Sequence, residues 1–351
     1  MITNIRVLSQ QLSSSQFDQP KDLVKWMGAM QAQDYTMAKW AIGARLKSGS
    51  LQQVEESLER GEIIRTHIMR PTWHFVPAED LRWMIQLSGQ RVKNAYDSYA
   101  KRFGIPESTH IKCGKLFEKI LRDNNHMTKL EIGAELNRAG VLDDPNTAHY
   151  FINRAEAMGL VCSGIDKNKK YTYALLDERI APTKELHKDE ALAELARRYF
   201  RSHSPASLQD FLWWSGLTIS ETRQAINLIS DELNKDRFAE QELYIHQSWT
   251  ENKECDNVLH LLPPFDEYLI SYKDRSAALD PKHYPKAFNN FGTFYPVILY
   301  NGKIVGNWEK ITKKGVITIE TTFFEKKTKV EKKLFKEAEK KYLNYLSNKQ
   351  L

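Results

Sequence analysis

The stretch 115–176 constrains the fold of this 351-residue chain more than any other, because three helix signals and a hairpin signal follow one another without a break. Lys115-Leu116-Phe117-Glu118-Lys119-Ile120-Leu121 spaces its apolar residues for a helix. Thr128 and Glu131 have the spacing of a capping box at the head of a second helix, 130–139, and Gly140 supplies its stop. Asn146 or Thr147 opens a third, 148–158, closed by Gly159, with Tyr150, Phe151 and Ala155 on one side. Leu160-Val161-Cys162 and Tyr171-Thr172-Tyr173-Ala174-Leu175 then read as strands joined by the polar turn 163–170. Three helices and a hairpin in that order predict a winged helix, a variant of the helix-turn-helix.

The same order recurs over 189–248, with helices at 191–201, after Ser204-Pro205-Ala206-Ser207, and at 220–233, and a strand at 242–246. A weaker copy is expected at the amino end, with helices at 22–30, 37–47 and 51–60 and strand-like sequence over 63–76. After Cys255 the texture turns to β, with candidate strands at 258–262, 268–272, 295–300, 303–310 and 316–324 and a hairpin turn at Asn301-Gly302. The expected class is α+β: tandem winged-helix domains at 1–110, 111–185 and 186–250, then a small β-barrel with a Lys-rich C-terminal helix at 251–351. In that helix, at about 330–346, Leu334, Ala338, Tyr342 and Tyr345 form one stripe, which predicts docking on the body.

Charge narrows the partners less than the pI of 8.9 implies. Residues 326–351 hold 9 Lys against 3 Glu and so carry the whole net charge of +6, leaving a neutral body whose attraction for a polyanion must be local. Cys113, Cys162 and Cys255 lie too far apart for a close-spaced zinc site and read as reduced buried thiols. No apolar run reaches membrane length and the first ten residues do not resemble a secretion signal, so a cytoplasmic protein without a membrane span is expected. Phosphate-binding G-x-x-x-x-G-K, G-x-G-x-x-G, H-E-x-x-H, G-x-S-x-G and zinc-deaminase motifs are all missing from the sequence.

Three constellations could carry chemistry. On the clearest winged helix, Asn153 and Arg154 of the third helix and Lys167, Lys169 and Lys170 of the wing are the natural base and phosphate contacts. Such modules also bind proteins, and lysines at a wing tip are equally a solvated turn, so both readings stay open. The run 65–76 gathers Arg65, His67, Arg70, Trp73 and His74 on strand-like sequence broken by Pro71, a surface suited to phosphates and base stacking. Trp73 reads equally well as core. Third, Gln31 and Gln33 share no helical face, but they converge if the helix ends there and Gln33 sits on a turn. Taken alone they are also ordinary surface glutamines.

Met30-Gln31-Ala32-Gln33-Asp34, Arg70-Pro71-Thr72-Trp73-His74 and Leu261-Leu262-Pro263-Pro264-Phe265-Asp266-Glu267-Tyr268-Leu269 with Tyr272-Lys273-Asp274-Arg275 together resemble the AlkZ/YcaQ-like family of bacterial winged-helix proteins, nearly end to end. The resemblance implies three winged helices and a β-barrel in a C-shaped molecule. It further implies a monofunctional DNA glycosylase acting on bulky N-alkylated purines and, in some members, on interstrand crosslinks. Gln31-Ala32-Gln33 matches the double-glutamine form of the family's catalytic signature rather than its Gln-x-Asp form. By that likeness Gln31 and Gln33 share the attacking water, Asp34 assists electrostatically and Arg275 joins the DNA contacts. Alkylated double-stranded DNA is the expected partner of a monomer that needs neither metal nor cofactor. Amides suffice because a purine alkylated at N3 or N7 is already cationic and leaves without a strong acid. A non-catalytic DNA-binding protein, either a regulator or a lesion-binding resistance factor, is the competing expectation, and a winged-helix scaffold for another protein is the third.

Overall fold

The computed structural model describes residues 2–102, 104–183, 185–238, 241–249 and 257–347. They divide into two compact units, one of residues 1–55 and 192–351 and one of residues 56–191.

In the second unit, strands Ile63–His67 and Trp73–Pro77 pair antiparallel from Ile63 opposite Pro77 to His67 opposite Trp73. The chain reverses between them at Met69, whose φ is 61°, so the single broken strand expected at 65–76 is instead two strands running antiparallel. A 22-residue helix follows, Leu81–Arg102, on sequence where no helix was expected. Next come helices Glu107–Ile120, Lys129–Arg138 and His149–Ala157. Thr128 and Glu131 form the anticipated capping box, and Gly140 takes the positive φ, 66°, that ends the helix. Strands Val161–Ser163 and Thr172–Leu175 pair antiparallel, and Met127–Thr128 joins the other side of the latter. Cys113, Phe117, Leu121, Ile132, Leu136, Phe151 and Tyr173 fill the core between them. Cys113 and Cys162 are buried thiols, as expected, and Cys255 lies outside the described residues.

The first unit opens with helices Ile2–Ser9, Pro20–Met27 and Tyr35–Gly43. Helices Leu208–Ser215 and Ile219–Leu228 begin at the capping boxes Ser207/Asp210 and Thr218/Glu221, and strands Leu233–Phe238 and Gln241–His246 form a hairpin. The β region corrects the sequence expectation. Strands Leu259–Leu262, Val297–Tyr300, Lys303–Lys313 and Val316–Phe323 make an antiparallel meander in that order, and none of the sheets among the described residues closes into a barrel. Two causes are visible. The expected strand 268–272 is instead a helical turn, Glu267–Ile270, because Asp266 accepts the Tyr268 N–H at 2.9 Å and caps it. The distal half of the last hairpin, 309–313 with 316–320, has no buried residue for a sheet to curl around. Asn301 and Gly302 make the predicted tight turn with φ of 45° and 76°. Helix Lys332–Ser347 docks through Ala338, Tyr342 and Tyr345, and Tyr342 packs edge-on against both Trp40 and Trp308.

Candidate active site

Gln31 does not end a helix. Helix Pro20–Met27 stops at Gly28, whose φ of 78° excludes most side chains, and the chain runs extended through Met30–Gln31. A Cβ at Gly28 would also stand 3.3 Å from Cβ of Arg198, so backbone and packing both end the helix three residues early. In extended chain successive side chains point to opposite sides, which separates Ala32, fully buried, from Gln31. Gln31 is 6% exposed, whereas Gln33 is exposed. Asp34 caps the next helix, Tyr35–Gly43, accepting the Met37 N–H at 3.0 Å.

A buried carboxylate, that of Glu267, holds the backbone of Gln31. Its Oε1 accepts the Gln31 backbone N–H at 2.5 Å, and its Oε2 accepts Trp214 Nε1–H at 3.2 Å and the Ser271 hydroxyl. His203 Nε2 lies 3.6 Å from Oε2. Burial works to raise the Glu267 carboxyl, but His203, then Ser271 and the Gln31 N–H, overcome it and hold the pKa at about 2. Beside it Asp266 takes a two-pronged bond from Arg45, at 2.8 Å to Nη1 and 2.7 Å to Nη2, and Arg45 Nη2 also donates to Gln10 Oε1 at 2.9 Å. Both partners are buried, Arg45 completely. Asp210 ties down the rest of the motif, accepting Lys273 N–H at 2.7 Å and Asp274 N–H at 3.1 Å. Arg275 donates to the Leu269 carbonyl at 2.8 Å and lies over Phe288 and Phe294. The two strings that stand 236 residues apart in sequence, Q-A-Q-D and P-P-F-D-E-Y-L, thus meet at one hydrogen bond.

The remaining expected residues lie in the unit 56–191. Arg65, His67 and Trp73 form a ladder: the Arg65 guanidinium sits 4.0 Å above the Trp73 ring and 5.0 Å from that of Tyr171, and the His67 ring lies 3.8 Å from Trp73. His67 Nδ1 is 2.7 Å from Oε2 of Glu156, a fully buried carboxyl that burial holds above the usual range despite His67. His74 is buried and donates from Nδ1 to the Thr72 carbonyl at 3.0 Å, while Arg70 is half-buried. Asn153 is half-buried on helix His149–Ala157, and its neighbour Arg154 is committed to Asp97 at 2.7 Å and Glu107 at 2.6 Å. Lys169 and Lys170 are exposed on a two-residue turn where Asn168 and Lys169 have φ of 50° and 63° and Lys167 and Lys170 exchange backbone bonds of 3.0 and 2.9 Å. Arg45, Glu156 and Glu267 went unmarked by spacing. The one available signal was the pair of adjacent acids, Asp266 and Glu267, inside an otherwise apolar string.

Among the described residues no cluster of His, Cys, Asp or Glu is arranged to hold a metal ion, and no helix is long and apolar enough to cross a membrane. A curated relative, the "Interstrand DNA cross-link repair glycosylase" of Streptomyces sahachiroi, is 22% identical over 314 residues, covering 85% of this chain and 84% of its own length. The solved structure of Streptomyces sahachiroi DNA glycosylase AlkZ superposes with a TM-score of 0.80 at 18% identity, covering 98% of this chain and 95% of that one, and establishes the fold. The profile of the family described as "DNA glycosylase AlkZ-like" matches residues 24–344, so the chain is a member of the AlkZ-like DNA glycosylases.

Proposed function

We propose that the protein is a monofunctional glycosylase that hydrolyses the N-glycosidic bond of purines made cationic by alkylation at N3 or N7, in double-stranded DNA. Gln31 and Gln33 position the water. The cationic purine departs with the glycosidic electron pair as a neutral base, water adds to C1′ of the sugar, and the proton it sheds passes to solvent. An amide carbonyl is a sufficient acceptor for that water because the leaving group needs no protonation. A fixed dipole also stabilises the oxocarbenium-like sugar in the transition state. The observation that carries this reading is the anchored backbone of Gln31, which gives the amide pair a defined origin. Bulky adducts and interstrand crosslinks are the favoured lesions, since the curated relative is named for crosslink repair.

The helices and hairpin of 107–175 then act as a winged helix, with Lys167, Lys169 and Lys170 of its exposed turn on DNA phosphates. Arg154 is omitted from the phosphate contacts because two carboxylates already neutralise it. The experiment is base release from duplexes carrying single N3 or N7 adducts of graded size, read as abasic sites. Release from at least one adduct is expected. Tight binding of every duplex without release would replace this reading with that of a non-catalytic lesion-binding protein.

A further inference from the structure

We propose that Glu267 is a positioning residue for the glycosylase reaction, holding the backbone of Gln31 so that the Gln31/Gln33 amide pair stands at attack geometry. The inference rests on the catalytic reading of those two glutamines given above. A carboxylate this deeply buried, 2% exposed, is a costly group to keep where only packing is needed, and an apolar side chain of like volume would stabilise the fold as well or better. Glu267 instead divides its acceptors by task. Oε2 accepts from Trp214 and Ser271, which orients the carboxylate plane. Oε1 is turned to a single donor, the N–H of Gln31, within the motif.

The residue's backbone is equally fixed. Gln10 Nε2 donates to the Glu267 carbonyl at 3.3 Å, and the preceding Asp266 is clamped by Arg45. The chain from Gly28 to the Asp34 cap contains a strand of only two residues, and the Glu267 bond adds to it a constraint from a side chain 236 residues away in sequence. A displacement of about 1 Å in a group that orients water costs on the order of 100-fold in rate, while duplex binding, made through phosphates elsewhere, is insensitive to it.

The test is single-turnover release of 7-methylguanine from a duplex, alongside the equilibrium Kd for the same duplex and hydrogen–deuterium exchange of the peptide 28–34. In Glu267→Gln the volume is kept, but an amide offers one acceptor oxygen where the carboxylate offers two. Whichever way it turns, either Gln31 N–H or the Trp214 and Ser271 donors meet an NH₂ group. The rate is expected to fall about 100-fold, with Kd within about twofold of wild type and faster exchange at 28–34. A folded Glu267→Gln protein with wild-type rate overturns the proposal. If that variant cannot be purified, Glu267→Asp retains the charge beside His203 and withdraws it from Gln31; a rate about tenfold down at unchanged Kd is expected, and full rate overturns the proposal. Gln31→Ala and Gln33→Ala, run in parallel, separate the two claims. Wild-type rates in both remove the catalytic reading itself, whereas loss in both with no loss in Glu267→Gln removes only the role of Glu267.

Discussion

Asp266→Asn isolates the energetic weight of the buried pair beneath the motif. Asp266 does two things at once: it takes both prongs of Arg45 and it caps the turn Glu267–Ile270 through Tyr268 N–H. Asparagine caps as well as aspartate, so this substitution removes the charge and leaves the cap. The Arg45 guanidinium is then a fully buried cation whose remaining acceptors are the Ala41 carbonyl, at 3.0 Å, Gln10 Oε1 and the amide oxygen left at position 266, all of them neutral. Removing one member of a buried ion pair costs about 3–5 kcal/mol, because the other charge is left uncompensated. At a urea m-value of about 2 kcal/mol/M, a cost of about 4 kcal/mol lowers the midpoint of unfolding by about 2 M. The probe is tryptophan fluorescence, since Trp40, Trp214 and Trp308 are all buried in the same unit. Asp266→Ala should lose about 1 kcal/mol more through the cap. Arg45→Met combined with Asp266→Asn should be less destabilised than the two singles added together, by about 1 kcal/mol or more. A midpoint shift below about 0.3 M for Asp266→Asn would mean that the pair contributes no more than an exposed salt bridge and is not what stabilises this part of the core.

Other expectations follow from single features. The Lys341 ammonium donates to the Ala44 carbonyl at 2.7 Å, and burial, helped by Arg45, pushes its pKa down to about 8. Between about pH 8 and the unfolded value near 10.4 the unfolded chain binds more protons, so this group makes stability rise with pH across that window. Urea midpoints of Lys341→Met against wild type should converge as pH climbs from 8 to 10, and parallel curves would contradict the assignment. Replacing the exposed Lys169 and Lys170 by Gln should weaken binding to undamaged and damaged duplex alike and reduce the slope of log K on log salt by about 2. An unchanged slope would take the turn off the DNA.

Where local chemistry decides structure, the sequence was legible. Thr128 with Glu131, the turn at Asn301-Gly302 and the stripe of Ala338, Tyr342 and Tyr345 each appear as their spacing predicts. Where long-range partners decide, it was not. Tyr268 and its neighbours look like a strand because they are apolar and aromatic, yet all of Glu267–Ile270 is buried in a turn set by Asp266 and Arg45. Helix Leu81–Arg102 went unread although Leu81, Met84, Ser88 and Val92, all buried, recur at helical spacing. At the site, Gln31 and Gln33 were marked by likeness to a family rather than by spacing. The anchor of Gln31 was hidden because Glu267 lies 236 residues away and a hydrogen bond to a backbone N–H leaves no trace in the identity of residue 31.

Single-turnover kinetics on a duplex with one 7-methylguanine, comparing wild type with Gln33→Ala at saturating protein, decides whether the Gln31/Gln33 amides position the water that breaks a glycosidic bond. Gln33 is exposed and its loss opens no cavity, so folding and DNA affinity should survive. A rate at least about 100-fold lower with Kd unchanged is expected, the signature of an interaction made in the transition state. Equal rates for the two proteins would contradict it.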